Sequence, residues 1–118
     1  MAMPGDILFD FDKSVLRASA LPSLRVLAKI IMEEQPADIL IRGHTDSKGD
    51  ESYNLQLGQR RADAVAQALT QRFGIDDGRL KTESLGEGAP VAPNVTPEGR
   101  DNPIGRQKNR RVEVLLRR

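Results

Sequence analysis

The chain has 118 residues, which gives room for one domain with a real core and not for two. Hydrophobic residues make up 38% and charged residues 30%, the balance of a soluble globular domain rather than a membrane-spanning or disordered one. The net charge of +1 argues against long-range capture of nucleic acid, and 3% aromatic residues with no Trp leave the core to Leu, Ile, Val and Ala.

The basic residues that do cluster, Arg106, Lys108, Arg110, Arg111, Arg117 and Arg118, have no interleaved aromatics. Base stacking is therefore unsupported. Absence of Cys excludes disulfides, thiol chemistry and Cys-based zinc sites, and fits either redox compartment. No run is apolar enough to span a membrane. No secretory signal opens the chain. Residues 1–5 read as a linker outside a single domain of residues 6–118, and any export address or anchor would lie upstream.

Ile7-Leu8-Phe9-Asp10-Phe11 is a short apolar run that predicts a first strand. Asp12-Lys13-Ser14 follows as a turn. Leu24, Leu27, Ala28 and Ile31 recur at helical spacing, with Pro22 in the first turn and Pro36 beyond the end. Ile39-Leu40-Ile41 is apolar on both faces and predicts a central strand. A polar loop runs from Gly43 to Glu51. The next helix carries an apolar stripe of Leu55, Ala62, Ala66, Leu69 and Phe73, and Gly74 ends it. Asn54, Gly58, Arg61 and Val65 form a neighbouring stripe about a quarter-turn away. Leu80 to Leu85 predicts a weak third strand. Gly86 to Lys108 reads as a long loop with four prolines, of the kind that is usually functional or poorly ordered. Arg111-Val112-Glu113-Val114-Leu115 alternates and predicts a last strand. The order βαβαββ implies an α/β (α+β) two-layer sandwich, two main helices on a small mixed sheet.

Asp46 lies in the loop after an apolar strand, and Arg61 lies in the following helix, fifteen residues on. A guanidinium fork matches a carboxylate, and a carboxylate accepts from an ammonium. The pair therefore suits a ligand end that carries both groups. A plain salt bridge or two solvated charges is the competing reading of that spacing alone.

Further motifs narrow the choice. Phe9-Asp10-Phe11-Asp12-Lys13-Ser14, Gly43-His44-Thr45-Asp46, Tyr53-Asn54-Leu55 with Leu57-Gly58-Gln59-Arg60-Arg61-Ala62, and Asn109-Arg110-Arg111-Val112-Glu113 together resemble the OmpA-like (OmpA/MotB/Pal) peptidoglycan-binding domain. The match runs from Ile7 to Leu116. Pro97-Glu98-Gly99-Arg100 is similar to that family's loop before the last strand.

The resemblance implies a non-enzymatic domain without cofactor or metal. It would hold the meso-diaminopimelate residue of cell-wall peptide stems and anchor an envelope protein to peptidoglycan in the periplasm of a Gram-negative bacterium. It implies that Asp46 accepts from the ligand ammonium and Arg61 clamps its carboxylate. Asn54 would add a hydrogen bond, Phe11 and Asp12 would form the rim, and Arg110 would contribute from the far strand. The family also permits homodimers and docking to a secretion or motor complex, and membrane attachment only through a segment outside this chain.

The chain departs from the family pattern at Gly58, where many relatives have Ser and where Gly gives room beside Arg61. It departs again at Lys48, and at Asp101 to Gln107, which is extra. His44, the single histidine, is expected to be structural.

Two other readings compete. Asp10 and Asp12 resemble the Asp-x-Asp opening of a haloacid-dehalogenase-type phosphatase, with Lys13-Ser14 where that motif has Gly-Thr. His44, Asp46 and Asp12 could form at best a weak hard-cation site.

Overall fold

The computed structural model describes all 118 residues. Four strands form one sheet: β1 (Ala2–Pro4), β2 (Asp38–His44), β3 (Leu80–Gly86) and β4 (Arg111–Arg117), in spatial order β1-β4-β2-β3. β2 and β3 run parallel, and β4 is antiparallel to both of its neighbours. The helices are α1 (Gly5–Leu8), α2 (Leu21–Glu34), α3 (Glu51–Phe73) and α4 (Pro103–Asn109). This is the expected two-layer α/β sandwich on a mixed sheet.

The first strand is not where the apolar run placed it. Ile7 and Leu8 lie in the single turn of α1, and Phe9 is extended only far enough to bridge Leu16. The edge position beside β4 is taken instead by Ala2–Pro4, in the segment expected to lie outside the domain. Met3 is 2% exposed and belongs to the core. A short apolar run reports burial, not conformation. Leu8 and Phe9 are indeed buried, by a turn rather than a strand.

α2 buries Leu24, Leu27, Ala28 and Ile31, as the spacing predicts. Gln35, in the left-handed region at φ 49, ends it and donates its N–H to Ile31 O at 2.9 Å. Pro36 then prevents continuation. α3 ends at Gly74, φ 69, where Ile75 N–H returns to Leu69 O at 3.1 Å and the Ile75 side chain is buried.

The buried stripe of α3 is rotated from the expected one. Asn54, Leu57, Gly58, Arg61, Ala62, Val65, Ala68 and Leu69 face inward, while Leu55 is exposed and Phe73 is half-buried. Two glycines cause the rotation. A Cβ on Gly43 would lie 1.9 Å from the Gly58 carbonyl oxygen, and one on Gly58 would lie 2.3 Å from Ser84 Oγ. α3 thus crosses β2 and β3 with its backbone against theirs. Gly58 makes room for the sheet, not for Arg61 as its departure from the family pattern suggests. The close crossing draws the 54/58/61/65 stripe into the interior.

The core lies between the helices and one sheet face, built on Ile39, Ile41, Val112 and Val114. The opposite face carries Arg42, His44, Arg111 and Glu113, with Arg42 opposite Glu113 and His44 opposite Arg111. His44 is buried there, its Nε2 paired with Glu113 and its Nδ1 without a partner.

The expected proline loop is partly helical. Asn102 caps α4 by accepting from Gly105 N–H at 3.2 Å, and Pro103 occupies the first turn. The run Asp101 to Gln107, extra by comparison with the family pattern, is therefore a built element. Asn109, fully buried, fixes the preceding loop with four hydrogen bonds. Its Oδ1 accepts from Val91 and Ala92 N–H at 2.8 and 3.0 Å, and its Nδ2 donates to Ala92 O and Asn94 Oδ1 at 2.8 and 2.9 Å.

Candidate functional site

β2 delivers the chain to one end of the sheet and hands it to the loop carrying Asp46. Thr45 N–H donates to Gly86 O at 2.8 Å, so the loop leaves still attached to β3. Asp46 Oδ1 accepts from Lys48 N–H at 3.0 Å, a side-chain-to-backbone turn that fixes the carboxylate. Asn54, in the first turns of α3, donates to Lys48 O at 2.9 Å and Asp46 O at 3.3 Å. Its amide secures the loop. The helix cap position belongs to Asp50.

Asp46 and Arg61 line one small cleft of ≈ 70 Å³, with Asp6, Phe11, Asp12, Lys48, Tyr53, Asn54 and Arg110. They do not pair with each other, as the spacing allowed. Asp46 Oδ2 instead receives Arg110 Nη1 at 2.7 Å and Arg106 Nη1 at 3.5 Å. Arg110 links α4 to β4 and also grips Asp6 with two bonds of 3.0 Å. That grip holds the Asp6 carboxyl below the usual carboxylate range and raises the Arg110 guanidinium above its ordinary value.

Arg61 is the contrasting case. It is 4% exposed, yet no carboxylate lies within 4.0 Å of it. Its Nε donates to Lys13 O at 2.9 Å, its Nη2 reaches Asp10 O only at 3.5 Å, and its guanidinium sits 5.0 Å from the Phe9 ring centre. Nη1 makes no hydrogen bond within the protein. Burial pushes this guanidinium below its ordinary value. Arg110 adds to that, while Asp6, Asp12 and Asp46 oppose it from a distance. A buried cation is normally paired. This one is held by backbone carbonyls and turns its free donors to the cleft.

The rim is made as expected in place, though not in detail. Phe11 is 86% exposed at the cleft edge. Asp12, at φ 58, accepts from the Tyr53 hydroxyl. Asp6, Tyr53 and Arg106 were not anticipated as contributors. Asp6 and Arg110 are 104 residues apart, and no local pattern announces such a pair.

The competing readings do not assemble. The Asp10 carboxylate faces solvent beside Arg17, while Asp12 turns to Tyr53, so the two make no joint site. His44 is engaged with Glu113 on the open sheet face, away from Asp46, and no three potential ligand side chains converge. No helix is long and apolar enough to cross a membrane.

Comparison with known proteins bears on the family and the fold. Residues 8–103 match the OmpA family. A Gloeobacter violaceus protein named Photosystem I P700 chlorophyll a apoprotein A2 is 44% identical over 117 residues, covering 99% of this chain but 13% of its own length. Outer membrane porin F of Pseudomonas aeruginosa is 39% identical over 109 residues, 92% of this chain and 29% of that protein. The chain thus spans less than a third of either relative.

Among solved structures, the peptidoglycan-associated lipoprotein of Burkholderia pseudomallei superposes with a TM-score of 0.75 at 33% identity, covering 94% of this chain and 88% of that one. The cell wall anchor of the type VI secretion system (T6SS) of P. aeruginosa superposes with a TM-score of 0.82 at 31% identity, covering 99% and 80%. The porin, lipoprotein and MotB relatives are outer-membrane and periplasmic envelope proteins of Gram-negative bacteria, and the family's domains bind peptidoglycan rather than catalyse a reaction. The phosphatase reading is thereby overturned. In motif order and fold, the chain belongs to the OmpA family and is an OmpA-like peptidoglycan-binding domain.

Proposed function

We propose that the cleft holds the end of the meso-diaminopimelate side chain of the wall peptide, which carries an ammonium and a carboxylate on one carbon. The observation that carries this reading is Arg61, a buried guanidinium with open donors and no carboxylate partner. A ligand carboxylate completes that site with charge-assisted bonds, each contributing on the order of 1.5–3 kcal/mol. Asp46 lies on the same cleft and offers its remaining lone pairs to the ammonium. Phe11 covers the aliphatic stem from the rim, where an exposed ring gains most by contact.

Two or three such contacts, less the cost of ordering the ligand, give modest affinity per site. Firm anchoring then comes from many domains on one polymer. The test is sedimentation with purified peptidoglycan. Diaminopimelate-type wall is expected to bring the domain down, with free meso-diaminopimelate competing. Lysine-type wall, which lacks the terminal carboxylate, is expected to bind poorly. Equal capture by both walls would remove diaminopimelate as the recognised unit.

A further inference from the structure

We propose that Arg106 is a specificity-determining residue of this cleft: its guanidinium stands on Asp46 where the ligand ammonium would bind, and Asp101 sets how firmly it stands there. This rests on the reading of the cleft given above.

A carboxylate offers about four lone-pair positions. On Asp46 one is taken by Lys48 N–H at 3.0 Å and one by Arg110 at 2.7 Å, while Arg106 makes an ion contact at 3.5 Å without a hydrogen bond and stands over the open positions. The two arginines are not equal. Arg110 is locked by its two hydrogen bonds to Asp6 and by its short contact to Asp46. Arg106 spends its good hydrogen bonds on Asp101, at 2.7 and 2.8 Å, and only leans on Asp46. It is the displaceable member.

Charge balance points the same way. Asp6, Asp12, Asp46 and Asp101 stand against Lys48, Arg61, Arg106 and Arg110, four against four. Without Arg106 the side of the cleft at Asp46 gains one net negative charge. An arriving ammonium then meets a less neutralised carboxylate. Arg61 pairs with none of these carboxylates and takes the ligand carboxylate, so Arg106 tunes recognition of the amine alone.

Arg106 is no stray surface cation. It rides on α4, whose Asn102 donates to Pro93 O at 3.0 Å and whose Gly105 packs so close that a Cβ would lie 1.9 Å from the same oxygen. The added helix is thus pinned against the proline loop with Arg106 aimed at Asp46.

The experiment compares the unaltered domain with Arg106→Gln and Asp101→Asn. Calorimetry reads binding of meso-diaminopimelate and of pimelate, the same chain without amines. Arg106→Gln is expected to bind diaminopimelate roughly two- to fivefold tighter, as expected for removing one partly exposed ion-pair competitor. Pimelate is expected to gain nothing. Asp101→Asn frees Arg106 to settle on Asp46 and is expected to weaken diaminopimelate binding.

Unchanged or weaker diaminopimelate binding by Arg106→Gln overturns the proposal, as does equal tightening for both ligands. Asp101 is half-exposed and Arg106 largely covered, so unchanged circular dichroism and melting temperature are read for both variants to confirm intact folds. The underlying reading fails separately, if Arg61→Met binds diaminopimelate as well as the unaltered domain. No binding at all by the unaltered domain, to free ligand or wall, sinks both.

Discussion

Arg61 sets the terms at the scale of single residues. Burying a charge without a counter-ion costs stability, so a residue kept this way is unfavourable until a ligand arrives. Replacement by an apolar side chain of similar length is therefore expected to be cheap for the fold and ruinous for binding. Arg61→Met is predicted to change unfolding free energy by less than about 1 kcal/mol, because the lost bonds to Lys13 O and Asp10 O are offset by relief of the buried charge. Sedimentation with peptidoglycan is predicted to disappear. A loss of stability of several kcal/mol in urea unfolding would instead mark Arg61 as structural.

Asp46 behaves differently. It ties Arg110, Arg106 and its own loop together, so Asp46→Ala is expected to lower both binding and melting temperature. The family resemblance, rather than the spacing alone, implies one site for these two residues, and both line one cleft. Spacing could not tell that each would take other partners, because Arg106 and Arg110 lie 60 and 64 positions beyond Asp46.

Elements bring these side chains into position, and the Gly43–Gly58 crossing is the tightest joint. A methyl on Gly43 would collide with the backbone of α3, at 1.9 Å from an oxygen and 2.6 Å from a carbon of Gly58. Backbone cannot rotate away as a side chain can. Gly43→Ala is therefore predicted to cost on the order of 3 kcal/mol or to prevent folding, as overpacking a joint does. Gly58→Ala meets Ser84 Oγ first, a rotatable atom, and gains helix propensity of about 1 kcal/mol. It is predicted to cost clearly less. Comparing the two melting temperatures checks the claim, and the reverse order would refute it.

α4 makes a second point at this scale. Four prolines in 23 residues read as a loop, yet Asn102 and Pro103 form an ordinary helix start. The signal was present and was outweighed by the surrounding prolines and glycines. Asn109, which pins that loop from below, carried no local signal of its role at all.

Across the whole molecule, the sheet's open face holds a buried histidine among charges. Burial, helped by Arg111 and Arg42, pushes His44 below its ordinary value, and Glu113 opposes this. A histidine whose folded pKa is depressed takes up its proton more readily when unfolded. Stability from this group is therefore complete above about pH 6.5 and declines as the pH falls from there toward the folded pKa. The predicted slope is at most about 1.4 kcal/mol per pH unit for one group. Urea unfolding between pH 8 and 5.5 is expected to show it, and His44→Gln is expected to flatten it. An equal slope in both proteins would place the effect elsewhere.

β1 belongs to the same scale. Met3 is in the core and Val114 N–H donates to Met1 O at 2.7 Å, so removal of residues 1–4 is predicted to destabilise the domain.

What the amino-acid order determined by itself was the two long helices, the central and last strands, and the motif set that marks the family. Those signals are short-range, and the folding of each segment does not overrule them. What the tertiary structure decided was which face of α3 is inside, which segment occupies the edge beside β4, and which partner each charge takes. These depend on close approach of segments far apart in the chain. A glycine against a glycine, or Arg110 against Asp6, leaves no mark in the local pattern of either segment.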